Sequence, residues 1–202
     1  MDVPTDAEVL CSDGPAGRTT GVILDPVTRR VTHLVVKADR IPHSEYLMPL
    51  ELVIETASHT VSVRCTEVEL HQLEPFVETE FAPPEEAAFP MYEYEDYRFW
   101  PYITPESALP LEVEQIPPGE LVMRRGTRVW AIDGLVGHID GLLIDPTDGY
   151  ITHLVLREDH LWAHRDITIP ISQIGQIEEE GVRLKMTKAA IERLPTIPVS
   201  RR

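Results

Sequence analysis

The chain has 202 residues and a formal net charge of -16, with 43% apolar but only 6% aromatic residues. That length suits one or two domains, and the composition supports a core built mainly from aliphatic side chains. So acidic a chain repels phosphate backbones, which disfavours direct nucleic-acid binding and suits a basic protein partner better.

The charge is unevenly spread. Residues 1–75 carry six basic and twelve acidic groups, residues 76–118 carry one basic group (Arg98) and ten acidic ones, and residues 119–202 carry eleven and twelve. The middle segment therefore holds more than half of the net charge. We read three parts: a first domain over 1–75, an acidic linker over 76–118 and a second domain over 119–198. The apolar stretches near Val22, Leu34 and Leu142 are far too short to span a bilayer. The opening Met1-Asp2-Val3-Pro4 lacks the basic and apolar regions of a secretory signal. Both points lead to the expectation of a cytoplasmic protein.

In chain order, Ala7 to Cys11 reads as a short strand and Ser12-Asp13-Gly14 as a turn. Gly21 to Leu24 is a compact apolar strand. Asp25-Pro26-Val27-Thr28 is a turn, with proline fixing φ at its second position. Val31 to Lys37, rich in β-branched residues, is a strand. Arg40 to Glu45 is a polar loop. Leu47 to Leu50, Leu52 to Glu55 and Thr60 to Cys65 are short strands. Thr66 and Glu69 form a capping box for a closing helix whose Leu70 and Leu73 pack inward.

The same order recurs at a constant offset of 120 residues from Val9/Val129 to Val36/Leu156. Gly17 and Gly21 match Gly137 and Gly141. Asp25-Pro26 matches Asp145-Pro146, and Thr32-His33-Leu34-Val35 matches Thr152-His153-Leu154-Val155. After one inserted residue, Met48-Pro49-Leu50 matches Ile169-Pro170-Ile171. In the second copy Thr187 caps the helix and Ile191 and Leu194 pack, but Ala190 removes the box. Cys11 and Cys65 lie in apolar segments opposite Ala131 and Met186, which favours buried thiols over a disulfide, the latter needing an oxidising compartment. About six short strands per copy lead to the expectation of an all-β chain: two small closed barrels in tandem, each closed by a short C-terminal helix. A proline-rich irregular linker would join them.

The Gly-x-x-x-Gly entries, the Asp-Pro turns, the Thr-His-Leu-Val strands and the apolar-Pro-apolar segments resemble the PRC-barrel family. That family includes the cytoplasmic domain of the photosynthetic reaction-centre H subunit and the C-terminal domain of RimM-type ribosome-maturation factors. The resemblance covers both copies and leaves the linker unaccounted for. It implies an interaction or assembly module, not a catalyst. The alternatives it raises are a RimM-like factor binding a basic ribosomal protein and an H-subunit-like peripheral cap on a membrane complex. A homo-oligomer is also compatible with it.

Three constellations bear on chemistry or binding. The Asp25/His33 and Asp145/His153 pairs could serve acid–base work, but Asp before Pro initiates turns, and His in an apolar strand is more often packed. His160 and His164 have a metal-compatible i, i+4 spacing, but they fall in a loop, no glutamate sits in the metalloprotease arrangement, and Asp166 is the only nearby carboxylate beyond the pair, so no metal and no cofactor is expected. No phosphate loop or nucleophile elbow occurs. The linker carries Tyr92, Tyr94, Tyr97, Phe99, Trp100 and Tyr102 among acidic residues, a pattern that favours docking, either on one of the barrels or on a partner, over a plain spacer.

Overall fold

The computed structural model describes residues 1–57, 59–82, 109–158 and 166–194. Among the described residues the fold is all-β apart from two four-residue helices and two short 3-10 turns. Met1–Phe76 and Ile116–Arg202 belong to one compact unit, and Val77–Gln115 forms a second.

In the first repeat the strands are β1 (Asp2–Pro4), β2 (Glu8–Cys11), β3 (Gly14–Asp25), β4 (Arg30–Ala38), β5 (Glu45–Pro49), β6 (Val53–Ala57) and β7 (Thr60–Val63), followed by α1 (Glu67–Leu70). The middle unit holds β8 (Val77–Ala82) and β9 (Leu109–Glu114). The second repeat comprises β10 (Leu121–Arg124), β11 (Arg128–Ala131), β12 (Gly134–Ile144), β13 (Ile151–Glu158), β14 (Asp166–Pro170), β15 (Ile174–Glu178), β16 (Gly181–Leu184) and α2 (Lys188–Ile191). Each repeat builds one sheet, in the order β5-β4-β3-β2-β7-β6 and β14-β13-β12-β11-β16-β15. The pairings are antiparallel except for β2 with β7 and β11 with β16, which are parallel. The end strands β5 and β6, or β14 and β15, are not paired with each other among the described residues.

The seventh strand of each sheet comes from the other repeat. β1 pairs with β12, setting Val3 opposite Leu142 and Pro4 opposite Gly141. β10 pairs with β3, setting Met123 opposite Val22 and Arg124 opposite Gly21. The two registers are related by the same 120-residue offset as the sequence repeat, so the exchange is reciprocal. Along one edge of β3, β2 occupies the first half and the borrowed β10 the second. A bulge at Thr20 separates the halves' pairing with β4, and Asp140 bulges likewise in β12.

The buried side chains form one continuous cluster across both repeats, including Val9, Val22, Leu34 and Met48 with Val129, Leu142, Leu154 and Ile169. Val3 of the exchanged strand is fully buried in it, and Met123 nearly so. Burying a valine side chain completely is worth about 1.5–3 kcal/mol, so these three- and four-residue strands are anchored by their side chains as well as their backbones. Cys11 and Cys65 are free thiols in the same cluster. Burial pushes the Cys11 thiol up to about 12, with the neighbouring Cys65 adding to the shift.

Three local expectations change. Gly14 to Thr20 continues β3 instead of serving only as a turn and its exit, because this Gly/Pro/Thr-rich stretch is held between β2 and β4. The linker is not irregular at its ends. Val77-Glu78-Thr79-Glu80-Phe81 and Leu111-Glu112-Val113-Glu114 alternate with period two and pair as an antiparallel ribbon from Val77↔Glu114 to Ala82↔Leu109. Pro110 is tolerated there because both strands of a two-stranded ribbon are edges. Thr187 stands at the N-cap of α2 without a side-chain bond, whereas Thr66 and Glu69 make the full box at α1. Both helices have a second cap in common. Asp13 accepts from the Glu67 N–H at 3.0 Å and Asp133 from the Lys188 N–H at 2.9 Å, so each Asp-Gly turn also holds its repeat's helix.

Candidate functional site

The repeated residues fall into two groups, those that bring the repeats together and those that shape each sheet. Gly17 belongs to the second. A Cβ on it would lie 2.2 Å from the Lys37 carbonyl oxygen, so β3 and β4 could not approach there with any side chain. Gly21 belongs to the first. A Cβ there would press on Val122 and Met123 of the borrowed strand, at 3.3 and 3.4 Å.

Asp25 and Asp145 each fold their own turn. Asp25 Oδ1 accepts from the Val27 N–H at 2.7 Å and the Thr28 N–H at 3.1 Å. Asp145 Oδ1 accepts from the Thr147 N–H at 2.9 Å and from the Thr147 hydroxyl. The two turns meet across the axis that relates the repeats. Val31 N–H donates to the Gly149 carbonyl and Ile151 N–H to the Arg29 carbonyl, both at 2.9 Å, with Arg30 bridged to Tyr150. Gly149 has φ +69°, and a Cβ on it would lie 2.6 Å from the Val31 oxygen. Sequence reading passed over this glycine because the first repeat has Arg29 in its place, itself at φ 57°. The Arg29 guanidinium crosses to the second repeat and donates to the carbonyls of Ile171 and Ile174, at 3.2 and 3.4 Å.

His33 and His153 are half-buried, and each contacts the hydroxyl of the preceding threonine, Thr32 at 3.0 Å and Thr152 at 3.2 Å. Thr32 also donates to Glu120 at 2.6 Å. Among the described residues neither histidine is hydrogen-bonded to the aspartate of its own pair. Each aspartate is thus bonded within its own turn and each histidine to its neighbouring threonine. His160 and His164 lie outside the described residues, as do Tyr92, Tyr94, Tyr97, Phe99, Trp100 and Tyr102.

Sequence reading also missed a chain of alternating charges that runs from one repeat to the other. Arg18 donates to Asp6 at 3.2 Å, and Arg125 pairs with the same carboxylate. Arg125 also reaches Asp140 at 3.7 Å, and Asp140 accepts from Arg157 at 3.1 Å. Arg157 lies 3.6 Å from Asp166. Asp140 is buried, and its place in the first repeat is taken by Thr20, so this network exists once. No signal short of the fold would reveal it, since its members are scattered over 160 residues.

The repeats also differ on one outward-facing strip. In the second repeat Leu135, Trp130, Arg183 and Gln176 are neighbours across β12, β11, β16 and β15. The Arg183 guanidinium lies 5.6 Å from the Trp130 ring centre and donates to Glu178 at 3.3 Å. Gly181, at φ +146°, lies close under the neighbouring strand: a Cβ there would come within 2.3 Å of the Arg128 carbonyl oxygen and 2.5 Å of the Trp130 ring. The first repeat has Pro15, Leu10 and Ser62 in the first three of these places, and Thr60 in place of Gly181.

No family model matches the chain, and no curated protein matches it in sequence. Among the described residues no group of His, Cys, Asp and Glu could hold a metal ion, and no helix is long and apolar enough to cross a membrane.

The turn and cap carboxylates give a pH dependence with a defined sign. Hydrogen bonds from Thr28 hold Asp25 below the ordinary aspartate range, bonds from Thr147 do so for Asp145, and the Thr66 N–H lowers Glu69. Carboxylates depressed in the folded state supply stability that is complete above their unfolded pKa and is lost as pH falls through the folded one. The urea midpoint is therefore expected to hold from pH 7 to about 5 and to drop below about pH 4.5. The triple variant D25N/D145N/E69Q, in which Asn keeps an oxygen to accept the turn bonds, is expected to show a flatter acid limb. An acid limb as steep as that of the unmodified protein would refute the assignment.

Proposed function

We propose that the chain is a non-catalytic interaction and assembly module of PRC-barrel type, acting in the cytoplasm through a basic protein partner. The observation that carries this reading is the contrast between what the repeats share and where they differ. The shared polar groups are committed to turns, caps and strand approach, so both copies need them in order to fold. One group of differences lies on the exposed Trp130 strip, and the chain between the repeats is strongly acidic, so both are candidates for contact with a partner. The net charge of -16 supports a basic partner over nucleic acid.

The test is affinity capture of the tagged full-length chain from native extract, followed by mass spectrometry. Recovery of one basic protein at stoichiometric yield is the expected result. Co-sedimentation with ribosomal subunits would select the RimM-like alternative, and recovery in the membrane fraction would select the H-subunit-like cap. An enzymatic activity abolished by His153→Ala without loss of stability would refute the non-catalytic reading.

A further inference from the structure

On the outer face of the second repeat, Gly126, Thr127, Arg128, Trp130, Glu179 and Glu180 line an open groove of about 410 Å³. The two glutamates are exposed and occupy the turn between β15 and β16, against the strand that carries Trp130. In the first repeat the matching residues are Ser58 and His59 for the glutamates and Leu10 for the tryptophan. That copy folds with none of these groups, so the fold does not require them in the second. The first repeat has Thr60 where the second has Gly181, at which a Cβ would meet both the Arg128 carbonyl oxygen at 2.3 Å and the indole at 2.5 Å.

An indole beside two carboxylates is suited to a cation. The ring attracts positive charge through its quadrupole, and the carboxylates supply the counter-charge. The ring already accepts one guanidinium from its own chain, that of Arg183. Arg183 is partnered by Glu178, which leaves Glu179 and Glu180 as the groove's acidic groups. Arg128 is the one cation of the lining among the described residues, against the two glutamates.

We propose that this groove binds an arginine or lysine side chain of a basic partner, with the stem against Trp130 and the charged head at Glu179 and Glu180. The proposal rests on the basic-partner reading above and names its contact point. It is tested with the full-length protein and a capped peptide of alternating glycine and arginine, by calorimetric titration at 0.15 M salt. A glutamine-for-arginine peptide serves as control. Binding of the arginine peptide is expected to weaken about tenfold in Trp130→Leu and similarly in E179Q/E180Q, the scale of a partly desolvated cation–π contact. Trp130→Leu installs the residue that the first repeat carries, and an unchanged urea midpoint will show that it folds. Equal affinity in Trp130→Leu would overturn the site while leaving a basic partner in place, since the acidity of the chain alone would then account for binding. Absence of binding to the unmodified protein would overturn both.

Discussion

Replacing Val3 with aspartate is expected to open the second repeat to hydrogen exchange before the first, although Val3 precedes the first repeat's core in sequence. Val3 has no exposed surface and sits opposite Leu142, on the borrowed strand of the second sheet. A carboxylate placed there without a partner costs about 3 kcal/mol or more, and detaching β1 is the cheapest way to relieve it. That exposes the edge of β12, so amides in residues 134–144 should lose protection ahead of those in 14–25. The mirror substitution Met123→Asp should reverse the order, because Met123 sits opposite Val22 on the first sheet. If each substitution instead loosened its own repeat, the exchanged registers would be wrong.

Cutting the chain between its repeats is expected to leave the halves together. A site-specific protease sequence inserted within 83–108 would divide the protein without touching the compact unit that contains both repeats. The halves would remain joined by two exchanged strands, the paired turns at Arg30 and Tyr150, and the charge chain from Arg18 to Asp166. Arg124 also lies over the Phe76 ring at 5.3 Å. On gel filtration at about 10 μM the cleaved protein should co-elute as one species and separate only in denaturant, as expected of an obligate interface with a shared core. Separation under native conditions would mean that the repeats are independent domains held together by the linker alone.

Legibility followed the range of the signal. The Asp-Pro turns and the Thr-His-Leu-Val strands are local patterns stated twice in the sequence, the α1 capping box is one stated once, and all appear where they were expected. The exchanged strands were invisible because Asp2-Val3-Pro4 is too short to carry a period and its partner lies about 140 residues away. Gly14 to Thr20 hid for a different reason. A strand hemmed in by backbone on both sides selects small residues, and small residues read as loop. In the linker, proline and charge masked the period-two alternation of its ends. For the site, sequence reading pointed to the histidines and the linker rings. The strip around Trp130 emerged only once the sheet register placed Leu135, Trp130 and Arg183 side by side.

The axis between the turns carries one further consequence, for how such a molecule can evolve. Were the halves identical, whatever stood at position 30 would meet its own duplicate, and an arginine there would confront an arginine. Here Arg30 faces Tyr150 and pairs at 3.1 Å with Asp148, whose counterpart in the first half is Thr28. Joining the halves in one chain halves the dose of every substitution at the axis. An acid can be tried on one side and its base kept on the other. That freedom is closed to a pair of identical subunits, and the single Arg125–Asp140–Arg157 network is a second instance of its use.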